Sequence, residues 1–468
     1  MSLPRILTVV VTAAMGAVSP AASQQRELTK WESLAHDLLK ELVEINTTVN
    51  SGGMTRAAGA MAAHLRAAGF ADSDVVVVES GPKKGNLVVR LRGRAGGKKP
   101  ILLLSHLDVV EAKPEDWTLP PFQFVEKDGT FFGRGVADNK DEVAMHLAII
   151  MRMKAEGFVP DRDIIVAATV DEEGGPDNGA EWLVKNRREL IDAEFAFNEG
   201  GGGRIRDGKQ LSHDIQASEK KVQNFTLEST NPGGHSSVPM KDNAITHLSD
   251  ALAKVGRFDF PVHLNEITRT YFERSAPIAD GDIGSAMRAI VANSGDAEAA
   301  RVLSEDPRYN SQLRTTCVAT TLEGGHAKNA LPQRARANVN CRILPDEDPA
   351  EIQRTLVRVI NDPKVSVSPD GAARNSPPSP LTPALMSVLE GLSREMWPGL
   401  PVIPTMSTGA TDGVYLRNAG IPTYGVSGLF YGDTNAHGMN ERVPAEGFYR
   451  GFEFMYRLVK RLTGPGVS

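Results

Sequence analysis

The sequence predicts an α/β fold interrupted by a smaller, inserted α+β region, and three observations carry that reading. Over residues 24–211, short apolar runs alternate with segments that repeat apolar residues at helical spacing, the pattern of a mixed sheet covered by helices on both faces. From Ser212 the pattern changes, and Val222 to Glu228 alternates like a half-exposed strand. Residues 371–380 (GAARNSPPSP) read as a return linker rich in Pro and Ser, after which α/β character resumes over 373–468. A chain of 468 residues is too long for one ordinary compact domain, so an insertion spanning 212–372 is a natural division.

The elements follow in order. Arg5, the uncharged run from Ile6 to Val18, and Ala21-Ala22-Ser23 have the layout of a cleavable signal peptide over residues 1–23. A buried N-terminal helix is the alternative. The run is too short to cross a bilayer, which takes ~20 residues, and no cysteine lies nearby to carry a lipid. The expectation is a secreted or periplasmic protein without a membrane anchor. Trp31, Leu34, Leu38, Leu39 and Leu42 recur at helical spacing, and residues 57–68 repeat the pattern. Strands are expected at 74–79, 86–91, 100–105, 163–170 and 194–198, with helices at 143–155 and 180–190. In the inserted region the expected strands are 222–228, 315–321 and 335–343, and the helices 243–255 and 349–360. Residues 265–310 read as extra helix within that region. There, Tyr271 and Phe272 either pack internally or line a hydrophobic entrance. A helix at 381–395 and apolar segments around Val402 and Ile421 belong to the returning part.

Composition excludes some partners. A hydrophobic content of 41% and a charged content of 24% are those of a soluble globular protein. The formal net charge of -6 gives no basis for nucleic acid or an anionic membrane as partner. Cys317 and Cys341 are the only cysteines, too few for a zinc–thiolate site. They are two buried thiols or one bridge. Were their strands to pair antiparallel about the midpoint near Asn329, the two would face each other.

The chemistry-bearing residues sit at strand ends. ILLLSHLDVV ends in His106 and Asp108, DIIVAATVDEEGG in Asp171, Glu172 and Glu173, and AEFAFNEGG in Glu199. Three strands therefore deliver acids or imidazole to one rim, where open α/β sheets bind ligands. Charged groups at the end of an apolar strand are costly unless paired or metal-bound. Each piece alone is weak: a lone H-x-D is more often structural, and a Glu-Glu pair is usually solvated surface.

Taken in order, SHLDVV, GRGVADNK, DEEGG, NEGG, GGHSS, NALP and AHGMNE resemble the motifs of the M20 metallopeptidases. That family includes aminoacylase-1, the glutamate carboxypeptidases and related deacylases. The matches run from Trp31 to Val443, and the stretch from WTLPPF to DEEGG is most similar to the aminoacylase-1 and carboxypeptidase S branch. The resemblance implies a metal-binding catalytic domain with an inserted lid and dimerisation domain. It implies two divalent metal ions, Zn2+ by the donor set with Co2+ or Mn2+ also acceptable. Asp138 would bridge them, His106 and Glu199 would complete one site, and Glu173 and His437 the other. Asp108 would fix the tautomer of His106 through its other ring nitrogen. Glu172 would be the general base on a metal-bridging water. His235 would reach the active site from the partner subunit of a homodimer. Asn329 and Arg342 would grip substrate, with Gly409 in the loop near its polar end. A cis peptide is expected at Asp138-Asn139.

The implied reaction is hydrolysis of the amide bond of N-acyl amino acids or small peptides with a free carboxylate. A strict dipeptidase or carboxypeptidase is the alternative, since a free amino group needs an acidic or carbonyl partner and an acyl chain an apolar groove. A metal-binding or solute-binding protein without activity would lack a ligand or the base, and none is missing. Two positions depart from the family pattern, Ser105 and Asp141, both where glycine is usual. Of the remaining histidines, His326 lies beside NALP, while His36, His64, His146, His213, His247 and His263 carry no motif.

Overall fold

The computed structural model describes residues 26–464; the signal peptide expected at 1–23 lies outside them. Among the described residues the large sheet has nine strands. Its path runs Val75–Glu79, Gly85–Leu91, Ile164–Thr169, Ile101–His106, Phe195–Asn198, Thr423–Gly425, Lys209–Glu219 and Val402–Ser407. Gly202–Arg206 pairs with Lys209–Glu219 off that path. The four central strands, from Ile164–Thr169 to Thr423–Gly425, run parallel, so their carboxyl ends share one rim. Ile101–His106 and Ile164–Thr169 are buried along their whole length, as unbroken apolar runs require of a sheet covered on both sides.

Alternate residues of these strands feed two cores. Leu103, Val166 and Phe197 pack with helices Lys30–Glu44, Met54–Ala67, Lys140–Ala155 and Ala445–Thr463. Leu102, Ile165 and Ala196 pack on the other face with Gly179–Asn186 and Gly413–Asn418. The first helix starts where Thr29 and Glu32 form a reciprocal cap.

The inserted domain is a four-stranded antiparallel sheet in the order Thr316–Gly324, Arg334–Ile343, Lys221–Thr230, Val365–Asp370. Helices Ala244–Arg257 and Pro349–Ile360 cover one face. Cys317 and Cys341 stand opposite one another in register and are disulfide-bonded, with Cα atoms 4.1 Å apart. Closing a loop of this length contributes ~3 kcal/mol in the chain-entropy account. Native protein treated with an alkylating agent should carry no label on either cysteine, and two labels after reduction. Labelling without reduction, read by mass spectrometry, would refute the bridge.

Three features differ from the sequence expectation. The change of sheet falls later than Ser212: Lys209–Glu219 crosses that position and stays in the large sheet, paired in parallel with Val402–Ser407. Ile215 and Ala217 feed the principal core, and the inserted sheet begins at Lys221. Residues 265–310 do form helices, Glu266–Ser275, Gly281–Ala292, Ala297–Ser304 and Pro307–Leu313, but they pack on the catalytic domain. Phe272 and Leu313 share a cluster with Ile403, and Tyr271 and Phe272 are 7% and 0% exposed, so they form no entrance. Arg274 Nη1 donates to the Val402 carbonyl at 2.9 Å and Gln312 Nε2 to that of Met406 at 2.9 Å. The segment therefore covers a sheet edge, which would otherwise present unpaired backbone groups. Finally, the expected elements end at the apolar segment around Ile421, whereas Ala445–Thr463 forms a long amphipathic helix of the principal core.

Candidate metal centre

Parallel pairing brings the strand-end residues together. His106 is in register with Thr169, so Glu172 and Glu173 begin one turn beyond the imidazole. His106 Nε2 lies 3.1 Å from Asp138 Oδ1 and 3.5 Å from Glu199 Oε2. His437 Nε2 lies 3.0 Å from Asp138 Oδ2 and 2.9 Å from Glu173 Oε1. Asp138 thus presents one oxygen to each imidazole. Among the described residues, two groups have ligand atoms within 4.8 Å of one another: His106, Asp138 and Glu173, and His106, Glu172 and Glu199. Two imidazole nitrogens among carboxylates suit Zn2+, Co2+ or Mn2+. This much desolvated negative charge is costly unless cations neutralise it, so the residues present fit such ions.

Buried contacts aim each side chain. The Asp138-Asn139 peptide is cis, as expected. Glu441 accepts from the backbone N–H groups of Gly135 at 3.1 Å and Ala137 at 2.9 Å. Its other oxygen pairs with Arg134 at 2.5 Å. Arg134 in turn donates to the carbonyls of His437 and Gly438 at 3.2 and 3.1 Å. One buried ion pair therefore ties the loop carrying Asp138 to the loop carrying His437. Asp171, in the left-handed region at φ 60°, is held by Lys84 at 2.5 Å, and the turn sends Glu173 to His437 and Glu172 towards His106 and Glu199. Lys140 Nζ donates to the carbonyls of Leu42 and Ile45, each at 2.9 Å. The motif lysine thus anchors the end of the first helix.

Asp108 acts differently from the expectation. His106 Nδ1 donates to the Asp108 carbonyl at 3.0 Å, while the nearer carboxylate oxygen is 3.6 Å away. That carboxylate instead accepts from the Glu173 backbone N–H at 3.0 Å. The tautomer of His106 is set by a main-chain oxygen, and the Asp108 side chain positions Glu173.

The charges are strongly coupled. Burial disfavours charge on His106, but Asp108, Asp138 and Glu199 hold its pKa well above the usual imidazole range. Hydrogen bonds to Asp138 and Glu173 push His437 up to about 10. Asp138 is held low against its burial by the two imidazoles. In the metal-free centre, burial and the neighbouring Glu199 push Glu172 up to about 10; divalent cations beside it would lower that value and leave the carboxylate free to accept a proton. These shifts favour the protonated imidazoles in the metal-free centre, and a metal must displace those protons. Apparent metal affinity should rise as pH rises towards the raised imidazole values. Titration calorimetry in two buffers of different ionisation enthalpy should show proton release; equal heats in both would contradict it.

The substrate residues expected from the sequence fall into two places. Arg342 Nη1 reaches the Thr408 carbonyl at 3.4 Å, beside Gly409, whose N–H donates to Ser407 Oγ at 3.0 Å. His235 is exposed on a two-residue strand paired with Ala330–Leu331, its Nδ1 2.7 Å from Ser237 Oγ. Exposed Asn329 accepts from Ser236 through its carbonyl at 3.0 Å. His235 and Asn329 are neighbours at the lid tip, and neither lines the cavities at the centre. His326 is exposed.

Two cavities meet the cluster. One of about 430 Å³ lies beside Asp138 and Glu199 and is walled by Gly200–Gly203, Arg204 and Leu429. The other, of about 500 Å³, lies beside Glu172 and Glu173 and is roofed by Lys221 and Asn224 of the inserted domain. Sequence reasoning missed Asp412, which lines the second cavity. It accepts from Thr169 Oγ1 at 3.0 Å and Asn178 Nδ2 at 2.6 Å, and burial pushes its carboxyl up to about 7. Its signal was present, as the acid closing the STGATDG run. Glu142 and Arg204, which line the first cavity, had no motif to mark them.

A mixed sheet with two imidazoles and a set of carboxylates at its rim, joined to an inserted α+β domain, defines a metal-dependent peptidase or amidohydrolase. The profile of peptidase family M20/M25/M40 matches residues 102–461, and the chain belongs to that family. It is 29% identical over 389 residues to the probable carboxypeptidase S-like 2 of Dictyostelium discoideum, covering 80% of this chain and 74% of that one. It is 27% identical over 383 residues to the N-fatty-acyl-amino acid synthase/hydrolase PM20D1 of Xenopus tropicalis, covering 79% and 74%. Among solved structures, the M20 family metallo-carboxypeptidase Sso-CP2 from Sulfolobus solfataricus superposes with a TM-score of 0.68 at 19% identity, covering 91% of this chain and 98% of that one.

Proposed function

We propose that the protein hydrolyses the amide bond between an acyl or aminoacyl group and an amino acid with a free carboxylate, with two divalent ions, Zn2+ in the first instance. The observation that carries this reading is Asp138, whose two oxygens face different imidazoles at 3.1 and 3.0 Å. His106 and Glu199 on one side and Glu173 and His437 on the other would hold the ions. The ions would supply Lewis acidity and lower the pKa of water. Glu172 takes the proton of the attacking water and returns it to the leaving nitrogen. Asp108 keeps Glu173 in place through its backbone N–H. Arg342 meets the substrate carboxylate as a bidentate partner. The relatives, a probable carboxypeptidase S-like protein and an N-fatty-acyl-amino acid synthase/hydrolase, support amide hydrolysis next to a free carboxylate.

The same reading includes a homodimer. The outer strand Thr316–Gly324 lies at the edge of the inserted sheet and exposes Val318 at 61% and Leu322 at 64%. Ile245 of the adjacent helix is exposed too. An open strand edge with apolar side chains suits a second copy. It would also bring the exposed His235 to a neighbouring centre. Secretion or periplasmic export is part of the proposal and draws on the N-terminal pattern and the disulfide. No helix among the described residues is long and apolar enough to cross a membrane.

The test is a panel of N-acyl amino acids and dipeptides given to purified protein with Zn2+, Co2+ or Mn2+. Metal-dependent release of a free amino acid is expected. No release across the panel with any of the three ions would overturn the proposal.

A further inference from the structure

The cavity beside Asp138 and Glu199 bears on which acyl groups the centre accepts. Of the side chains that line it, only Ala137, Leu429 and Ala436 are aliphatic. A long hydrocarbon chain placed there would strip water from charged groups without replacing their hydrogen bonds.

The charged groups in and around the cavity can be assigned one by one. Arg204 donates through Nε and Nη2 to Asp214 Oδ2 at 2.9 and 2.5 Å, and Ser212 Oγ donates to the other Asp214 oxygen at 2.6 Å. That ion pair is neutral as a unit. Asp141 does not line the cavity; one of its oxygens accepts from the Tyr431 hydroxyl at 2.8 Å and the other has no partner. Asp138 and Glu199 face His106 and belong to the metal cluster. Glu142 is left. It lines the cavity, is 4% exposed, and its Oε2 has no hydrogen-bond partner. It stands in the first turn of Lys140–Ala155, a rigid support for a recognition group. Burial, with Asp141 and Glu199 nearby, pushes the Glu142 carboxyl well above the usual carboxylate range, and an incoming cation favours its ionised form.

We propose that Glu142 recognises a primary ammonium on the acyl half of the substrate, so that the preferred substrates are aminoacyl amino acids with a free amino terminus rather than N-fatty-acyl amino acids. This rests on the hydrolase reading of the same centre. An ammonium entering the cavity meets the Glu142 carboxyl that lines it, and a charge-assisted bond there is one that an uncharged acyl group of equal size cannot make.

The experiment uses matched pairs on a panel of carboxyl-terminal amino acids. Each pair is an L-alanyl compound and its N-isobutyryl counterpart, in which a methyl group replaces the ammonium. N-palmitoyl compounds complete the set. With Zn2+-loaded enzyme, kcat/KM for the alanyl member should exceed that of the isobutyryl member by about tenfold or more, and in Glu142→Gln that ratio should fall by about tenfold. Metal content of the variant should match that of the parent. Preference for isobutyryl or palmitoyl compounds by the parent enzyme overturns the inference while leaving the hydrolase reading in place, and it needs no variant. An unchanged ratio in Glu142→Gln, or loss of metal from it, also overturns the assignment. Hydrolysis of none of the compounds removes the hydrolase reading and this inference with it.

Discussion

Glu172→Gln is expected to keep its metal ions and lose ~10²–10⁴-fold in kcat, the usual contribution of a general base. Glutamine keeps the shape of the side chain and a carbonyl acceptor, but its amide cannot take a proton from water. The geometry makes the test necessary. Glu172 lies within ligand distance of His106 and Glu199, so an arrangement in which it binds metal is sterically open. Its neighbour Glu173 already faces His437 at 2.9 Å and has its backbone fixed by Asp108. The turn at Asp171 holds Glu173 against His437, which on the proposed reading leaves Glu172 for water. Metal analysis separates the two roles. Full metal content with lost turnover is the outcome for a base, whereas a lost ion would make Glu172 a ligand. Near-normal turnover with both ions present would remove it from the mechanism.

His235→Ala alone should lose ~10²-fold or more, as expected for a donor to the developing oxyanion. The same chain mixed with Glu172→Gln under exchange should regain about a quarter of parental activity. Half of the dimers would be mixed, and one of the two sites in each would be intact, as two-fold symmetry dictates. In this chain His235 contacts Ser237 and lines neither cavity of its own centre. A larger lid that served its own subunit would have to draw on the extra helices at 265–310. These helices pack instead on the outer strand of the catalytic sheet, and none of them lines either cavity. No recovery in a sample proven to contain mixed dimers would mean that His235 acts within its own chain or not at all.

Much of this protein was legible before any coordinates. Short continuous apolar runs such as ILLLS and IIVAA read as strands buried on both faces by their length and branched residues, and the acids that end them mark the functional rim. The order of motifs then named His106, Asp138, Glu173, Glu199 and His437, which the fold gathers into one cluster. The symmetry of residues 317 and 341 about Asn329 anticipated the facing cysteines. Legibility of this kind comes from local physics: the period of burial reports which side of an element leaves water, and a costly charge at an apolar strand end reports a partner.

What local pattern cannot encode is which surface an element meets. The helices at 266–313 were recognisable as helices, yet their apolar stripe is the same whether it packs on the lid or on Ile403. The strand through Ser212 alternates too weakly to show that Ile215 faces the principal core. Asp108 stands two residues from His106 in either account, but only the curvature of the chain decides that the carbonyl, and not the carboxylate, reaches the ring. Glu142 sits among charged residues at a helix start and belongs to no motif. Folding places it against a cavity with one oxygen unpaired, because the neighbours that bury it come from strands and loops far away in sequence. Side-chain chemistry was set by the sequence, and the surroundings that give each group its role were set by tertiary packing.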